Sequence, residues 1–261
     1  MIWWVVLLRA IVGAGFVVTT SIVAELLGPF WGGLLVSLPV SAGPAFVMLA
    51  LDQDDAFIAQ AGIGGLVANA ITQVFIAVIV LTAPSWRAPF VFAAAMLAWF
   101  AIAFVVRQFD WSPFGAVCLN ILVFAVLLPL TRKPLKTSVG TPRPGGRRWY
   151  ELPMRGLMVG VLVASVVTAS SWLGPTLSGM AAVFPIMLTG LALVTLPRLG
   201  GAATAALFAG IMRAMPGFSL AMLLIAITAE PLGRWAGMGA ALIGQLSFSA
   251  LFLIAHRTSR K

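Results

Sequence analysis

Arg213 has the sharpest chemical implication of any single residue, because it lies inside the long apolar segment 200–229. It stands about 13 residues from the start of that segment, which is roughly 20 Å along a helix. Hydrocarbon solvates a charge poorly, so an arginine at that depth is expected to face a protein interior or a wet cavity. No Asp or Glu lies at a comparable depth in any apolar segment. The pattern favours an anionic ligand, or else a guanidinium that binds carbonyl groups freed at a helix break.

Small and polar residues also recur along one face of the apolar segment 56–83, at helical spacing. They are Gly62, Gly65, Asn69, Thr72 and Gln73. Glycines in such a stripe allow close helix packing, and the amides then join neighbouring helices. Contact with a substrate is an equally good interpretation, and the sequence leaves both open.

A proline motif occurs twice, as LGPFWGGLLVSLP from Leu27 and as LGPTLSGMAAVFP from Leu173, 146 residues apart. A Gly-Pro pair suits the start of a helix. The second proline of each copy, Pro39 or Pro185, falls about ten residues further on and removes a backbone donor there. Freed backbone groups in hydrocarbon need protein, water or a ligand as partner. The pair predicts a central binding site, and a kink that serves only packing is the alternative.

The composition shows which solvent surrounds these residues. Hydrophobic residues make up 61% of the chain and charged residues 9%, with a mean hydropathy of +1.08. Apolar runs of about 20 residues recur, which is the length needed to cross roughly 30 Å of hydrocarbon. The sequence therefore predicts a polytopic membrane protein. Its net charge of +9 is taken as a signal of topology and not of nucleic-acid binding.

The apolar runs predict an all-α fold of nine transmembrane helices, over 2–24, 27–50, 56–83, 88–106, 113–130, 154–172, 173–196, 200–229 and 234–255. The second and seventh are the helices broken by Pro and Gly. Residues 131–153 are rich in Pro, Gly and basic residues, which is typical of a flexible linker. This linker divides the chain into a first repeat with one additional helix, 1–130, and a second repeat, 154–261.

The proline motifs belong to a longer internal duplication, in which 1–110 resembles 147–256. Equivalent positions include Arg9 and Arg155, Gly64 and Gly210, and Gln73 and Ser219. Five predicted helices separate equivalent positions, so the second copy crosses the membrane in the opposite sense. The helix over 113–130 has no counterpart and inverts the second copy. Inverted repeats recur in carriers that open alternately to either side. The alternative is a duplication that serves only to enlarge a membrane scaffold.

The distribution of basic residues predicts the orientation. With the linker in the cytoplasm, the N-terminus is outside the plasma (bacterial inner) membrane, the C-terminus is inside and the acidic turn Asp52–Asp55 is outside. Twelve of the 16 Lys and Arg then lie inside, in accord with the positive-inside rule: Arg87, Arg132, Lys133, Lys136, Arg143, Arg147, Arg148, Arg155, Arg198, Arg257, Arg260 and Lys261.

No residue set suited to catalysis is evident. We find no metal-ligand cluster, nucleotide-binding loop or nucleophile–base pair. The single histidine, His256, lies in the tail, and the single cysteine, Cys118, excludes an intramolecular disulfide. We therefore expect a protein that is not an enzyme and uses no cofactor or metal.

The segments GGLLVSLPVSAGPAFVMLAL and SGMAAVFPIMLTGLAL resemble the A-G-L-x-P-x-F-P-x-x-x-L-x-x stretch of the small GlpM-like membrane proteins. The resemblance covers some twenty residues in each half. It implies two fused, inverted copies of a roughly four-span unit, and it implies no activity, because that family provides none to transfer.

Together these observations predict a secondary transporter that moves a small anionic solute by alternating access. The predicted substrate-binding residues are Arg213, Pro39, Ser41, Gly43, Pro185, Thr189, Asn69, Gln73 and Ser219. Arg9 and Arg155 lie near opposite membrane faces, where they would anchor helix ends or bind phosphate headgroups. A transporter of lipids or lipid-linked intermediates is one alternative, and a non-transporting assembly subunit is another. The expected partners are the solute or lipid, membrane lipids and a second copy of the chain, without nucleic acid.

Overall fold

A computed structural model describes residues 3–26, 42–132 and 151–258. All regular secondary structure in these ranges is helical. The helices are α1 (Trp3–Leu26), α2 (Ala42–Asp52), α3 (Asp55–Thr82), α4 (Ala88–Val106), α5 (Pro113–Leu130), α6 (Glu151–Ala182), α7 (Ile186–Leu199), α8 (Gly201–Leu232) and α9 (Arg234–Thr258).

Seven helical stretches among the described residues are long and apolar enough to cross a membrane. The prediction of an all-α integral membrane protein is thereby confirmed, whereas the count of nine stays a prediction. One stretch, Leu152–Leu199, combines α6 and α7 into 48 residues, and α2 has only 11 residues. The number of membrane-crossing stretches differs from the predicted number at the two segments that carry the proline motif. In the first of these segments, residues 27–41 lie outside the described ranges.

The second proline motif breaks the helical path twice. Gly174 has φ 73° and ψ 173° inside α6, a conformation that glycine adopts without a steric penalty. Pro175 then begins the second part of α6, as the Gly-Pro pair predicts. The backbone leaves the helix again after Ala182 and resumes at Ile186, with Pro185 as the capping residue. The equivalent Gly28-Pro29, Pro39 and Ser41 of the first motif lie outside the described residues.

Helix α3 forms the centre of the bundle. It packs along α8 and α6 and also contacts α4 and α5. In its candidate membrane span 89% of the residues are buried, against 11% for α5. A helix surrounded on all sides must be apolar or small on all sides. This explains why the sequence of α3 combines aliphatic residues with a stripe of glycines.

The glycines of α3 allow near-contact between backbones. A Cβ at Gly64 would overlap the carbonyl oxygen of Thr176 in α6, and a Cβ at Gly179 would overlap that of Ala61. A Cβ at Gly62 would lie 2.8 Å from the backbone nitrogen of Ala226 in α8. For the glycines, the structure therefore favours the packing interpretation of the stripe.

Charged residues at the helix ends distinguish the two faces of the bundle. We call the end that carries Asp52, Asp54 and Asp55 the acidic face, and the opposite end, with Arg87 and Arg198, the basic face. Exposed tryptophans also lie near helix ends or, for Trp172, beside the break at Gly174, and such side chains favour the membrane interface: Trp3, Trp4, Trp86, Trp172 and Trp235.

Candidate functional site

Four polar side chains from three helices meet in the interior of the bundle. We call them the amide cluster: Asn69 and Gln73 of α3, Asn120 of α5 and Ser219 of α8. The amide nitrogen of Asn69 donates to Oδ1 of Asn120 at 3.0 Å and to Oγ of Ser219 at 2.6 Å. The Ser219 hydroxyl also donates to Oδ1 of Asn120, at 3.1 Å. The amide cluster thus contains three of the predicted substrate-binding residues, namely Asn69, Gln73 and Ser219.

Asn120 is the member that the sequence analysis missed. Its amide nitrogen donates to the carbonyl oxygens of Leu66 at 2.8 Å and Ala116 at 2.9 Å, while its Oδ1 accepts from α3 and α8. These bonds attach α5 to the bundle through one side chain. The sequence did contain a signal for Asn120, because this asparagine lies near the middle of an 18-residue apolar helix. A polar group at such a position requires a partner.

Gln73 leaves one polar atom without a partner. Its side chain is 0% exposed, and its Nε2 donates a long bond of 3.4 Å to Oδ1 of Asn69. Its Oε1 has no hydrogen-bond partner among the described residues. Burying an unsatisfied amide oxygen costs roughly 1–3 kcal/mol. The cluster therefore offers a buried acceptor to a hydrogen-bond donor that enters the bundle.

Aromatic side chains connect the stripe on α3 with the helix break before α7. The indole nitrogen of Trp99 donates to Oγ1 of Thr72 at 3.3 Å. The Trp99 ring meets the Phe184 ring edge to face, with centroids 4.9 Å apart. Phe184 directly precedes Pro185, whose carbonyl oxygen accepts from the Thr189 amide at 2.8 Å. Trp99 therefore contacts both α3 and the residue that precedes the break.

Thr189 and Gly43 occupy equivalent positions near the two predicted breaks, in different surroundings. Thr189 is buried, and its Oγ1 has no hydrogen-bond partner among the described residues. Gly43 is half-buried near the start of α2 and lines an apolar groove. The structure does not join either residue to the amide cluster by a hydrogen bond.

Arg213 lies away from the amide cluster. The Sδ atom of the neighbouring Met212 accepts from Oγ1 of Thr131, which caps the C-terminal end of α5. Arg213 therefore stands at the level of that helix end, on the side of the basic face. It precedes Ser219 by six residues, about 9 Å along α8 and on a different side of the helix. No described residue forms an ion pair with this half-buried guanidinium.

The two equivalent arginines differ in their partners. Arg9 forms an ion pair with Asp52 at the acidic face. Arg155 is half-buried and makes no ion pair within the described part of the chain. Asp52 matches Arg198 in the second copy, so the acidic partner of Arg9 is replaced by a basic residue there.

The chemistry available at the amide cluster is hydrogen bonding without net charge. Amide and hydroxyl groups can both donate and accept. No group of His, Cys, Asp and Glu among the described residues could hold a metal ion. The arrangement can recognise a polar solute by its hydrogen-bonding groups. Arg213, six residues before Ser219, is the charged residue on α8 closest in sequence to the cluster.

Several long apolar helices around a buried polar cluster define an integral membrane protein. No family model, curated protein or solved structure matches the chain.

Proposed function

We propose that the chain is a secondary transporter whose two inverted halves alternate between openings toward the two membrane faces, with the amide cluster as the solute site. The resemblance of each half to the GlpM-like proteins belongs to this proposal, since it implies a fused pair of inverted units. The position of the amide cluster does not depend on whether the chain crosses the membrane nine times. It also does not depend on whether the N-terminus lies outside.

The spacing of the helix boundaries supports the duplication. Helix α3 begins at Asp55 and α8 at Gly201, which is 146 residues later, the same offset that separates the proline motifs. Helix α4 begins at Ala88 and α9 at Arg234, again 146 residues apart. A shared offset between motifs and helix starts is expected of two copies of one folding unit.

The helix packing also supports a two-fold relation. Helix α1 packs along α6, its equivalent, and α3 packs along α8, its equivalent. Helices that border a two-fold axis contact their own counterparts across that axis. Inverted-repeat carriers place the substrate site at such a repeat interface, near the middle of the membrane.

The unpaired Oε1 of Gln73 is the observation on which the proposal rests. The atom is fully buried, and its side chain bonds to Asn69, which in turn bonds to Ser219 of the equivalent helix α8. Ser219 is also the equivalent of Gln73 in the second repeat. A membrane protein keeps an unsatisfied polar group in its interior at a cost, and such groups are commonly functional. A solute that donates a hydrogen bond to Gln73 removes that cost.

We further propose that the solute is anionic and that Arg213 provides the attraction. Arg213 stands between the basic face and the amide cluster and is partly accessible. An anion that enters from the basic face would pass the guanidinium before it reaches the amides. Arginine suits carboxylates and phosphates because its planar group donates two parallel hydrogen bonds.

A specific observation favours the alternative of a lipid transporter. A lateral apolar groove opens between α1, α2, α8 and α9, and a lipid carrier is expected to have such a groove, whereas a solute carrier is expected to have a closed central cavity. A non-transporting assembly subunit would need neither the groove nor the unpaired amide oxygen.

A ligand screen on the purified protein tests the solute proposal. We expect small carboxylates or phosphate esters that also carry a hydroxyl or amino donor to raise the thermal stability, and the active compound to enter proteoliposomes. Gln73→Leu keeps the volume of the side chain but removes the amide. It should weaken binding roughly ten-fold, the value of one hydrogen bond to a ligand. Gln60→Leu, an exposed position on the same helix, is the matched control and should bind like the wild type.

Two results of the screen would count against the proposal. If Gln73→Leu binds the active compound as well as Gln60→Leu does, the amide cluster is not the solute site. If Arg213→Ala leaves the affinity for the anion unchanged, Arg213 does not provide the attraction. A screen in which no compound of either class stabilises the protein favours the assembly subunit.

A further inference from the structure

A groove with a volume of about 400 Å³ lies between α1, α2, α8 and α9. This volume is within the range of roughly 300–1,000 Å³ that is usual for ligand pockets. Its lining is almost wholly apolar, and Phe16, Met48, Ile225 and Met238 contribute to it. Two further lining residues, Trp235 and Leu242, are 51% and 47% exposed. The groove therefore opens sideways, toward the hydrocarbon that surrounds the bundle.

The groove lies just below the acidic face. On α9 its lining extends from Trp235 to Leu242, which is about 10 Å along the helix. Trp235 stands in the first turn of α9, and that helix begins at the acidic face. On α2 the lining extends to Met48, one turn before Asp52 at the helix end. The groove thus reaches into one leaflet only.

Two ion pairs stand at the end of the groove that faces the water. Arg9, one turn from the lining residue Val12 on α1, pairs with Asp52. Arg234, next to Trp235, donates to Oδ1 of Asp55 through Nη1 at 3.3 Å and through its backbone nitrogen at 3.0 Å. The Nε atom of Arg234 is buried and has no hydrogen-bond partner in the described structure. Each pair therefore places a cation beside a carboxylate at this end of the groove.

We propose that the groove binds one phospholipid of the leaflet at the acidic face, with an acyl chain in the groove and a zwitterionic headgroup at the rim. The phosphate would accept from the exposed nitrogens of the Arg9 and Arg234 guanidinium groups. The ammonium group would lie beside Asp52 and Asp55. A site for a zwitterionic lipid needs both charges at the end of an apolar channel, and this rim provides both.

The opposite charges at the rim select this occupant. A purely anionic headgroup would meet the two carboxylates, and an uncharged diacylglycerol would leave the arginines without a phosphate. Chain burial alone gives little selectivity in a bilayer, because the groove is no more apolar than the surrounding lipid. The headgroup therefore decides which lipid stays. This inference concerns binding and holds whether or not the chain transports a solute.

Native mass spectrometry of the full chain in detergent tests the proposal with phosphatidylethanolamine as the probe. Gly239 lines the groove, and no atom lies within 4 Å of a Cβ built there, so Gly239→Leu fills the groove without a backbone clash. We expect this variant to bind the probe roughly ten-fold more weakly, since the leucine takes the place of the acyl chain. Gly210→Leu is the matched control, because Gly210 is exposed, helical and equally open.

The comparison of headgroups completes the test. For the wild type and for Gly210→Leu, we expect phosphatidylglycerol and diacylglycerol to bind about three- to five-fold more weakly than phosphatidylethanolamine. Equal binding of the probe by Gly239→Leu and Gly210→Leu would overturn the assignment of the groove. Equal binding of phosphatidylethanolamine and phosphatidylglycerol by the wild type would overturn the assignment of the zwitterionic headgroup.

Discussion

Gly179→Ala and Gly64→Ala should each destabilise the protein by about 3 kcal/mol or more. At both positions the added methyl group would overlap a backbone carbonyl oxygen of the facing helix, that of Ala61 or that of Thr176. A flexible side chain could move aside, but a carbonyl within a helix cannot move without its helix. The second part of α6 must therefore separate from α3, the most buried helix of the bundle. Unfolding of the purified variants in detergent measures the loss.

The control for these variants is the equivalent glycine of the second copy. Gly210 matches Gly64, is helical, and has no atom within 4 Å of an added Cβ. Gly210→Ala should therefore raise the free energy of unfolding by about 0.5–1 kcal/mol, the usual gain of alanine over glycine in a helix. If Gly64→Ala and Gly210→Ala behaved alike, the close packing of α3 against α6 would be wrong.

Cysteines at Ala56 and Ala202 should react with a membrane-impermeant reagent from opposite sides of the membrane. Both residues are exposed in the first turn of their helices, α3 and α8, and they are equivalent in the two repeats. The experiment uses Cys118→Ala as background, because Cys118 is an exposed free thiol. Ala56→Cys should react from outside and Ala202→Cys from the cytoplasm, since basic residues favour the cytoplasmic side.

A third position controls the labelling. Arg87→Cys lies in the turn after α3. That helix has 28 residues, about 42 Å, which is long enough to cross the bilayer. Arg87→Cys should therefore label from the same side as Ala202→Cys. Labelling of Ala56→Cys and Ala202→Cys from one side would mean an even number of crossings between them, and the halves would then be parallel.

The sequence was sufficient to predict features that depend on local chemistry. Gly174, Pro175 and Pro185 predict where the helical path changes, because a missing N–H and a positive φ act on the backbone at the residue itself. The apolar runs also give the starts of α4 and α5 at Ala88 and Pro113. These properties need no knowledge of neighbouring helices.

Features that depend on which helices become neighbours could not be predicted in this way. Asn69 was a candidate, but its hydrogen bond to Asn120 depends on α5 packing against α3. Arg9 was expected to anchor a helix end or bind a headgroup, and its pairing with Asp52 depends on α1 lying beside α2. The groove is formed by four helices and by no motif. Helix periodicity reports the faces of a helix but not the partner that each face meets.

The depth of Arg213 in the bundle could not be predicted from the sequence either, because it depends on the helix that packs beside α8. Counting residues from a predicted helix start gave a depth of roughly 20 Å. The contact of Met212 with Thr131 instead places this turn of α8 beside the end of α5. Helix α8 has 32 residues, about 48 Å, so it exceeds the hydrocarbon thickness. Its first turns can therefore lie at the interface.

Accessibility of a cysteine at Ser219 tests the alternating-access account most directly. Ser219 belongs to the amide cluster, and Ser219→Cys in the Cys118→Ala background can be exposed in proteoliposomes to a small impermeant thiol reagent on either side. The account predicts reaction from both faces, while the vesicles remain impermeable to ions. Ala95→Cys, a buried position on α4, should react from neither face. Reaction of Ser219→Cys from one face only, or from neither, would contradict the account.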